Sequence, residues 1–371
     1  MRIIHLINSL ATGGAETLVV EMATVMQSQG HDVEIVVIGP KEGVPYGIAS
    51  ARQLKIRRVG SSSYDLTSLL RLRKALKKAD VVHVHLFPSL YLAPLASAGV
   101  PLVYTEHSTW NRRRDRRIFR WADRYFYGRY DKLVAISAGV RDSLSDYLSS
   151  LRMNANIGLV PNGISDIYFE PASRRNRELE LDLRLVAVGT LDDRKNFSDA
   201  IRAVAATPGV ELSIVGDGPQ KDQLYDLIDS CGVADRVHLL GPSSNVAGLM
   251  DQHHALISTS RFEGFSLVAA EAMALGLPVI GPNVPGFRDS VIHHQTGLLY
   301  EQSEGLPAII AAIDRLRTDG ALYRLLSTNA LQHSEQFRIS NTTAKYLAVY
   351  ADALSERVAT PRRRQSRNRS R

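Results

Sequence analysis

Glu263 and Glu271 stand in the segment Arg261-Phe-Glu-Gly-Phe-Ser-Leu-Val-Ala-Ala-Glu271, which runs on through Ala-Met-Ala-Leu-Gly-Leu-Pro-Val-Ile280. Carboxylates in so apolar a setting are costly to bury without a partner, so something polar belongs between them. Gly264, Phe265 and Ser266 predict a turn into a helix beginning near Leu267. The free amides of that helix would make an anion site beside Glu263. Glu271 then falls in the second turn, where it can accept from vicinal hydroxyls of a ligand. A bond to a neighbouring loop is an equal alternative for it.

Other polar groups follow apolar runs in the same manner. Val186-Ala-Val-Gly-Thr-Leu-Asp-Asp-Arg-Lys-Asn-Phe197 places Arg194 and Lys195 in a loop after a strand. A cation there can neutralise a departing phosphate, although a solvated loop would explain the segment if it stood alone. Leu10-Ala-Thr-Gly-Gly-Ala-Glu16 joins a strand to a helix, and Gly13 and Gly14 would let the backbone approach an anion closely. A plain strand-to-helix turn with Glu16 in the first helical turn serves equally. Val215-Gly-Asp-Gly-Pro219 lacks the third glycine of a dinucleotide fingerprint, which makes it a turn and leaves NAD binding unsupported. Tyr104-Thr-Glu-His107 ends a strand, where His107 is either a capped structural residue or a group facing a ligand. His83 and His85 flank Val84 and point the same way, but no Cys or carboxylate nearby completes a metal set. The pairs His253-His254 and His293-His294 read as surface or loop residues.

The elements that must carry these groups alternate throughout. Buried strands are expected at Ile3–Ile7, Val33–Ile38, Val81–His85, Leu102–Thr105 and Lys132–Ile136. A second series follows at Leu185–Val188, Leu212–Val215, Val237–Leu239, Ala255–Ser258 and Pro278–Ile280. Short runs rich in Val and Ile are the signature of strands covered on both faces. Helical patterns lie between them at Glu16–Gln29, Leu66–Lys78, Asn196–Ala206 and Gln220–Cys231, so the fold class is α/β with doubly wound parallel sheets. The polar stretch 171–182 after the Val160-Pro-Asn-Gly163 turn marks a boundary at about 165–182. Ligands of two such domains belong in the crevice at the carboxyl ends of their strands. Gln336–Arg357 reads as a terminal helical pair, and the Arg-rich tail 361–371 as disordered.

A chain of 371 residues exceeds what one core usually serves, which agrees with two domains. With 44% hydrophobic and 22% charged residues it has the composition of an ordinary globular protein, and no apolar run reaches the ~18 residues of a spanning helix. The start, Arg2 to Leu10, is interrupted by His5 and Asn8 and reads as a first strand, not a leader. Cys231 is the only cysteine, which suits a reducing compartment. The net charge of +7 is concentrated in two places. Residues 112–129 carry eight arginines against Asp115 and Asp123, and the tail carries six more without an acid.

Taken together, these segments resemble the family 4 glycosyltransferases, nucleotide-sugar-dependent retaining enzymes of the GT-B fold. The resemblance rests on Gly13-Gly-Ala-Glu16, Asp80-Val-Val-His-Val-His85, Thr105-Glu-His107, Val134-Ala-Ile-Ser137 and Val160-Pro-Asn-Gly-Ile164. It continues with Val188-Gly to Lys195-Asn196, Val215-Gly-Asp-Gly-Pro219, and the Glu263 to Glu271 block through Thr296-Gly-Leu-Leu299. These come in family order over about residues 1–300. The resemblance implies two Rossmann-like domains facing across a cleft, an acceptor-side domain at 1–170 and a nucleotide-sugar domain at 182–335. It also implies a C-terminal helix, about 339–357, packing back on the first domain.

By the same resemblance, Glu263 contacts the donor sugar, Glu271 holds the ribose, and Lys195 binds the diphosphate with amides near Leu267 and Val268 and those of Gly13-Gly14. His107 and Asn162 line the sugar side, and the base packs near the backbone of Leu240 and Gly241. Where the family commonly has an arginine beside the lysine, this chain has Thr190, and Arg194 is the nearby substitute. No cofactor and no metal are expected, because Lys195 and a helix N-terminus suffice for the leaving group. The expected acceptor is a hydroxyl of a glycan or lipid-linked molecule. Nucleotide-sugar epimerases, glycan phosphorylases and an inactive scaffold share the architecture. No cofactor-bearing lysine motif favours a phosphorylase, and the presence of Glu263, Lys195 and His107 speaks against an inactive scaffold.

Residues 112–129 interleave arginine with Ile118, Phe119, Trp121, Tyr125, Phe126 and Tyr127, as a basic amphipathic helix on an anionic membrane would. A core-facing aromatic side with solvated arginines is the competing reading. No nucleic-acid recognition motif accompanies the charge. The expectation is peripheral association with the cytoplasmic leaflet through 112–129 and 361–371.

Overall fold

The computed structural model describes residues 1–61, 68–97, 99–170 and 182–359. The tail 361–371, most of the expected linker and the start of the Leu66–Lys78 helix lie outside them. Within the described residues that helix runs over Leu69–Leu76.

Two wholly parallel sheets carry the chain. The first takes β1 (Arg2–Ile7), β2 (Asp32–Val37), β3 (Lys55–Arg58), β4 (Val81–His85), β5 (Leu102–Glu106), β6 (Lys132–Ala135) and β7 (Ile157–Leu159), in the order β3-β2-β1-β4-β5-β6-β7. The second takes β8 (Leu183–Val188), β9 (Val210–Val215), β10 (Val237–Gly241), β11 (Ala255–Ile257), β12 (Val279–Pro282) and β13 (Gly297–Tyr300), in the order β10-β9-β8-β11-β12-β13. Each order reverses once, between β1 and β4 and between β8 and β11, and those switch points are where a doubly wound sheet opens a crevice.

The central strands follow from their apolar runs, and both faces of each sheet are covered. On β1, Ile4 and Leu6 enter one core and Ile3 and Ile7 the other, as the two-residue period requires. Three strands stand outside the expected series, β3, β7 and β13, and all three are sheet edges, although β13 is apolar and mostly buried. β3 is Lys-Ile-Arg-Arg, held by charge instead: Lys55 pairs with Asp32 at 2.6 Å and Arg57 with Glu34.

Two of the expected features are corrected. The C-terminal segment is one 21-residue helix, Ile339–Ala359, preceded by a single 3-10 turn at Glu335–Phe337 rather than by a second helix. Arg338 between them has ψ 136°, an extended backbone that ends the turn. His253 and His254 lie in the loop before β11, one of the two expected alternatives, but they are buried there and not on the surface. They precede β11, where His254 Nδ1 accepts from the Arg184 amide at 3.1 Å and His253 Nδ1 lies 2.7 Å from the Leu249 carbonyl.

The long helix returns to the first sheet. Tyr346, Tyr350 and Ala353 enter the same core as Ile3 and Ile7, and Arg357 grips Asp131 at 2.6 and 2.7 Å. The two chain crossings are fastened to each other: the Ile164 amide donates to Phe337 and the Ile339 amide to Ile164, at 2.8 and 3.0 Å. A shared apolar cluster also joins the halves, with Ile136, Val140 and Ile164 of the first against Val186, Phe265 and Phe287 of the second.

Candidate active site

The loop after β11 and the helix Leu267–Ala274 form one wall of the cleft. Ser266 caps that helix, its hydroxyl accepting from the Ala269 amide at 3.4 Å; the Leu267 amide turns back to the Phe265 carbonyl at 3.0 Å, which leaves Val268 to supply the free first-turn amide. The helix is apolar nearly all round, with Ala269, Ala270, Ala272, Met273 and Ala274 buried and Leu267, Val268 and Glu271 partly so. Gly264 is required for the approach of the two domains. A Cβ there would stand 2.3 Å from the His107 carbonyl oxygen. Ser137 of the first domain donates to the Gly264 carbonyl at 2.6 Å and fixes the same contact.

Lys195 and Glu263 meet at the floor, Nζ to Oε1, at 2.6 Å. They come from the loops after β8 and β11, the two strands that flank the switch point. Asp192 shapes the first of these loops by accepting from the backbone amides of Arg194 and Lys195 at 3.0 and 3.3 Å. The Thr259 hydroxyl fastens the loop to β11 through the carbonyls of Lys195 and Asn196. Gly189, at φ +157°, leaves room for the lysine stem, whose Cε would be 3.1 Å from a Cβ. Arg194 does not join the pair. Its guanidinium holds Asp192 at 2.5 Å and is largely exposed, and Thr190 is exposed beside it.

Glu271 points elsewhere than Glu263 does. Burial pushes its carboxyl up to about 7, opposed by a hydrogen bond from the Tyr168 hydroxyl and reinforced by Glu21 nearby. Tyr168 belongs to the turn Asp166–Phe169, where the chain crosses between domains. Sequence reasoning did not select Tyr168. An aromatic pair, Tyr168-Phe169, between the Asn-Gly turn and the polar linker was its one signal.

Across the cleft, Gly13 caps the helix Gly14–Ser28 without a side chain, and a Cβ on Gly14 would come 2.9 Å from Leu267. Two helix N-termini thus converge from opposite domains, which concentrates positive potential between them. His107 follows β5, with its amide on Glu106 Oε1 at 3.2 Å and its Nε2 3.1 Å from His85 Nδ1. Burial lowers its pKa to about 4 against the opposing charge of Glu106, so the ring is neutral. Glu106 is itself buried and pairs with Arg114. Asn162 is buried with no hydrogen-bond partner on Oδ1 among the described residues, an orphan acceptor of the kind a ligand satisfies.

The structure therefore brings Gly13, Gly14, His107, Lys195, Glu263, Gly264, Leu267 and Val268 to one cleft. Phe265 turns its ring away into the core against Phe337, 5.5 Å between centroids. Leu240 stands exposed at the end of β10. The arrangement can hold an anion between helix N-termini and a lysine, with a carboxylate and a neutral imidazole beside it.

Two family models divide the chain. The one described as Glycosyltransferase Family 4 matches residues 12–166, and the one described as Glycosyl transferases group 1 matches residues 170–333. The D-inositol 3-phosphate glycosyltransferase of Mycobacterium marinum is 28% identical over 95% of this chain and 84% of its own. The N-acetyl-alpha-D-glucosaminyl L-malate synthase of Bacillus anthracis is 25% identical over 93% of this chain and 96% of its own. Among solved structures, HepE of Anabaena in complex with UDP and glucose superposes with a TM-score of 0.82 at 18% identity, over 95% of this chain and all of that one. The chain is a glycosyltransferase of the GT-B type and belongs to the family 4 glycosyltransferases.

Proposed function

We propose that the protein moves a sugar from a nucleoside diphosphate to a hydroxyl, with retention at the anomeric carbon and without a metal. The observation that carries this is the Lys195–Glu263 pair seated at the N-terminus of Leu267–Ala274 and facing the Gly13-Gly14 loop. As the glycosyl bond lengthens, the sugar gains oxocarbenium character and negative charge grows on the diphosphate. Lys195 and the helix amides meet that charge, which is the work a divalent cation would otherwise do. Glu263, released from Lys195, turns to the sugar hydroxyls and the developing positive carbon, while Glu271 accepts from the ribose. The departing phosphate takes the acceptor proton on the same face, so no dedicated base is required. HepE, which binds UDP and glucose, supports a nucleotide-sugar donor. A thermal-shift screen over UDP, GDP and ADP sugars tests the assignment, with one nucleotide expected to raise the melting temperature. No shift from any of them would overturn it. Activity that survives EDTA and gives an α-anomeric product from an α-linked donor is the expected second result.

The acceptor belongs to a glycan or lipid-linked class in this reading, with the first domain resting on the cytoplasmic face of a membrane. Arg112, Arg116, Arg117 and Arg129 are exposed around Ile118, Trp121 and Tyr125, which are 80%, 84% and 52% exposed. Arg117, Trp121 and Arg152 line a groove of about 940 Å³ suited to anionic headgroups, whose wall is completed by Arg120 and Arg124, both engaged with backbone carbonyls. Among the described residues no helix is long and apolar enough to cross a membrane, so contact would be peripheral.

A further inference from the structure

Three histidines lie side by side at the centre of the first sheet, on the face that the Ile339–Ala359 helix covers. β1 supplies His5 and β4 supplies His83 and His85, and all three are fully buried. Buried imidazole nitrogens need partners. His83 finds hydroxyls: Nδ1 is 2.6 Å from Tyr350 and Nε2 is 2.7 Å from Thr105, whose hydroxyl in turn meets Tyr346 at 3.0 Å. His5 and His85 instead continue a chain into the cleft. His5 Nδ1 is 3.2 Å from His85 Nε2, and His85 Nδ1 is 3.1 Å from His107 Nε2. His5, His83 and His85 are close enough to share a metal ion. Five of their six ring nitrogens already hold hydrogen bonds, however, and only His5 Nε2 is without a partner. Ligation would have to dismantle that set.

The chain has a direction. A neutral imidazole has one N–H and one lone pair, so each link needs a proton on one ring facing a lone pair on the next. Running from His107 inward, the protons would sit on His107 Nε2 and His85 Nε2. His5 would then carry its own on Nε2, as a buried N–H with no acceptor. Running outward, the protons sit on Nδ1 of His5, His85 and His107, and the unpaired atom is only a lone pair. Orphaned buried N–H groups are the rarer and costlier case, so the outward direction wins. Burial keeps the rings neutral, lowering His5 to about 3 and His107 to about 4. Cooperative polarisation along the chain strengthens the last donor.

We propose that His5 and His85 are positioning residues that hold His107 in its Nδ1–H tautomer, so that it offers the cleft a hydrogen-bond donor and not a base. No described residue takes that nitrogen, and the His107 carbonyl lies against Gly264, beside Glu263. The occupant it suits is an oxygen acceptor, a hydroxyl of the donor sugar, and this clause alone rests on the glycosyl-transfer reading.

Long-range ¹⁵N–¹H correlation spectra of the ¹⁵N-histidine-labelled full chain, without any nucleotide, read the tautomers directly. His107 is expected as a single Nδ1–H form, assigned by its absence in His107→Gln. An Nε2–H form, or a charged His107 at neutral pH, overturns the proposal. His5→Phe removes the first donor and is expected to turn His107 into a mixture of tautomers. Thr105→Val, whose hydroxyl bonds His83 and Tyr346 but no member of the His5–His85–His107 chain, is expected to leave it single. A folded His5→Phe protein that keeps the single form also overturns the proposal. If that variant does not fold, the unsubstituted chain still decides. Because no nucleotide is present, failure of the donor assignment leaves these spectra unchanged.

Discussion

In the proposed reaction the division of work between Glu263 and Glu271 would follow from their surroundings. Glu263 is held by Lys195 at 2.6 Å at the point where two switch-point loops meet, whereas Glu271 is set back against Tyr168 and Glu21. Glu271→Ala should therefore weaken nucleotide binding by ~1.5–3 kcal/mol, the worth of hydrogen bonds to a charged group, or about 10- to 150-fold in Kd. Glu263→Ala should leave Kd nearly unchanged and lower kcat on the order of a hundredfold. Titration calorimetry with the nucleotide and steady-state rates separate the two; equal losses in both quantities would refute the division. The carboxyl of Glu271, raised to about 7, adds a pH dependence. With Glu271 on the ribose as proposed, only its ionised form could accept from both hydroxyls, so affinity should fall as pH drops below about 7, and Glu271→Gln should flatten that slope. The sign for stability is the opposite. A raised pKa contributes stability that is full below the unfolded value and lost as pH rises through about 7. Thermal melts should accordingly show the unsubstituted chain losing ground to Glu271→Gln between acidic and slightly alkaline pH.

At the scale of elements, glycine placement decides how closely the domains meet. A Cβ on Gly264 would press on the backbone carbonyl of His107 at 2.3 Å, and backbone cannot step aside as a side-chain tip can. Gly264→Ala should cost ~1–3 kcal/mol as an overpacked contact and should reduce activity more than stability, because the clash opens the cleft. A denaturant midpoint and a rate measured on the same preparation check both. Much of this wall was legible beforehand: the apolar run after Ser266 marked the helix, and Val-Ile-rich runs marked the central strands. The edge strand β3 was not, since Lys55-Ile-Arg-Arg58 has no apolar run and is held by pairing with Asp32 and Glu34. Nor was the burial of His253 and His254, whose ring nitrogens meet backbone groups far from them in sequence or a turn away. Tyr168 was equally hidden, because its meaning lies in a carboxylate about a hundred residues further on, in the other domain.

For the whole molecule, the basic segment 112–129 divides into two populations, and counting charge alone would misjudge it. Arg113 and Arg114 are buried in ion pairs with Asp123 and Glu106, and Asp123 also receives the hydroxyls of Tyr91 and Tyr147. Arg120 donates to the Ser150 carbonyl at 2.6 Å and Arg124 to that of Leu151, so they cap the end of the Ala138–Ser150 helix. What remains for a partner is Arg112, Arg116, Arg117 and Arg129, set around Trp121, Ile118 and Tyr125. Removing a partner from a buried pair strands the other charge, so Arg113→Ala should cost ~3–5 kcal/mol in urea unfolding. Arg117→Ala should cost almost nothing there. The order should reverse on membranes, where each exposed arginine contributes ~1 kcal/mol near an anionic surface. Arg116→Ala with Arg117→Ala should then lower the partition onto vesicles containing phosphatidylserine about 30-fold, and added salt should shrink the difference. Trp121→Ala should weaken binding in salt as well, because its contribution is burial at the interface and not charge. Flotation with neutral and anionic vesicles reads all four variants. Equal recovery of the unsubstituted chain on both lipids would assign the exposed arginines and Trp121 to some other surface than a membrane.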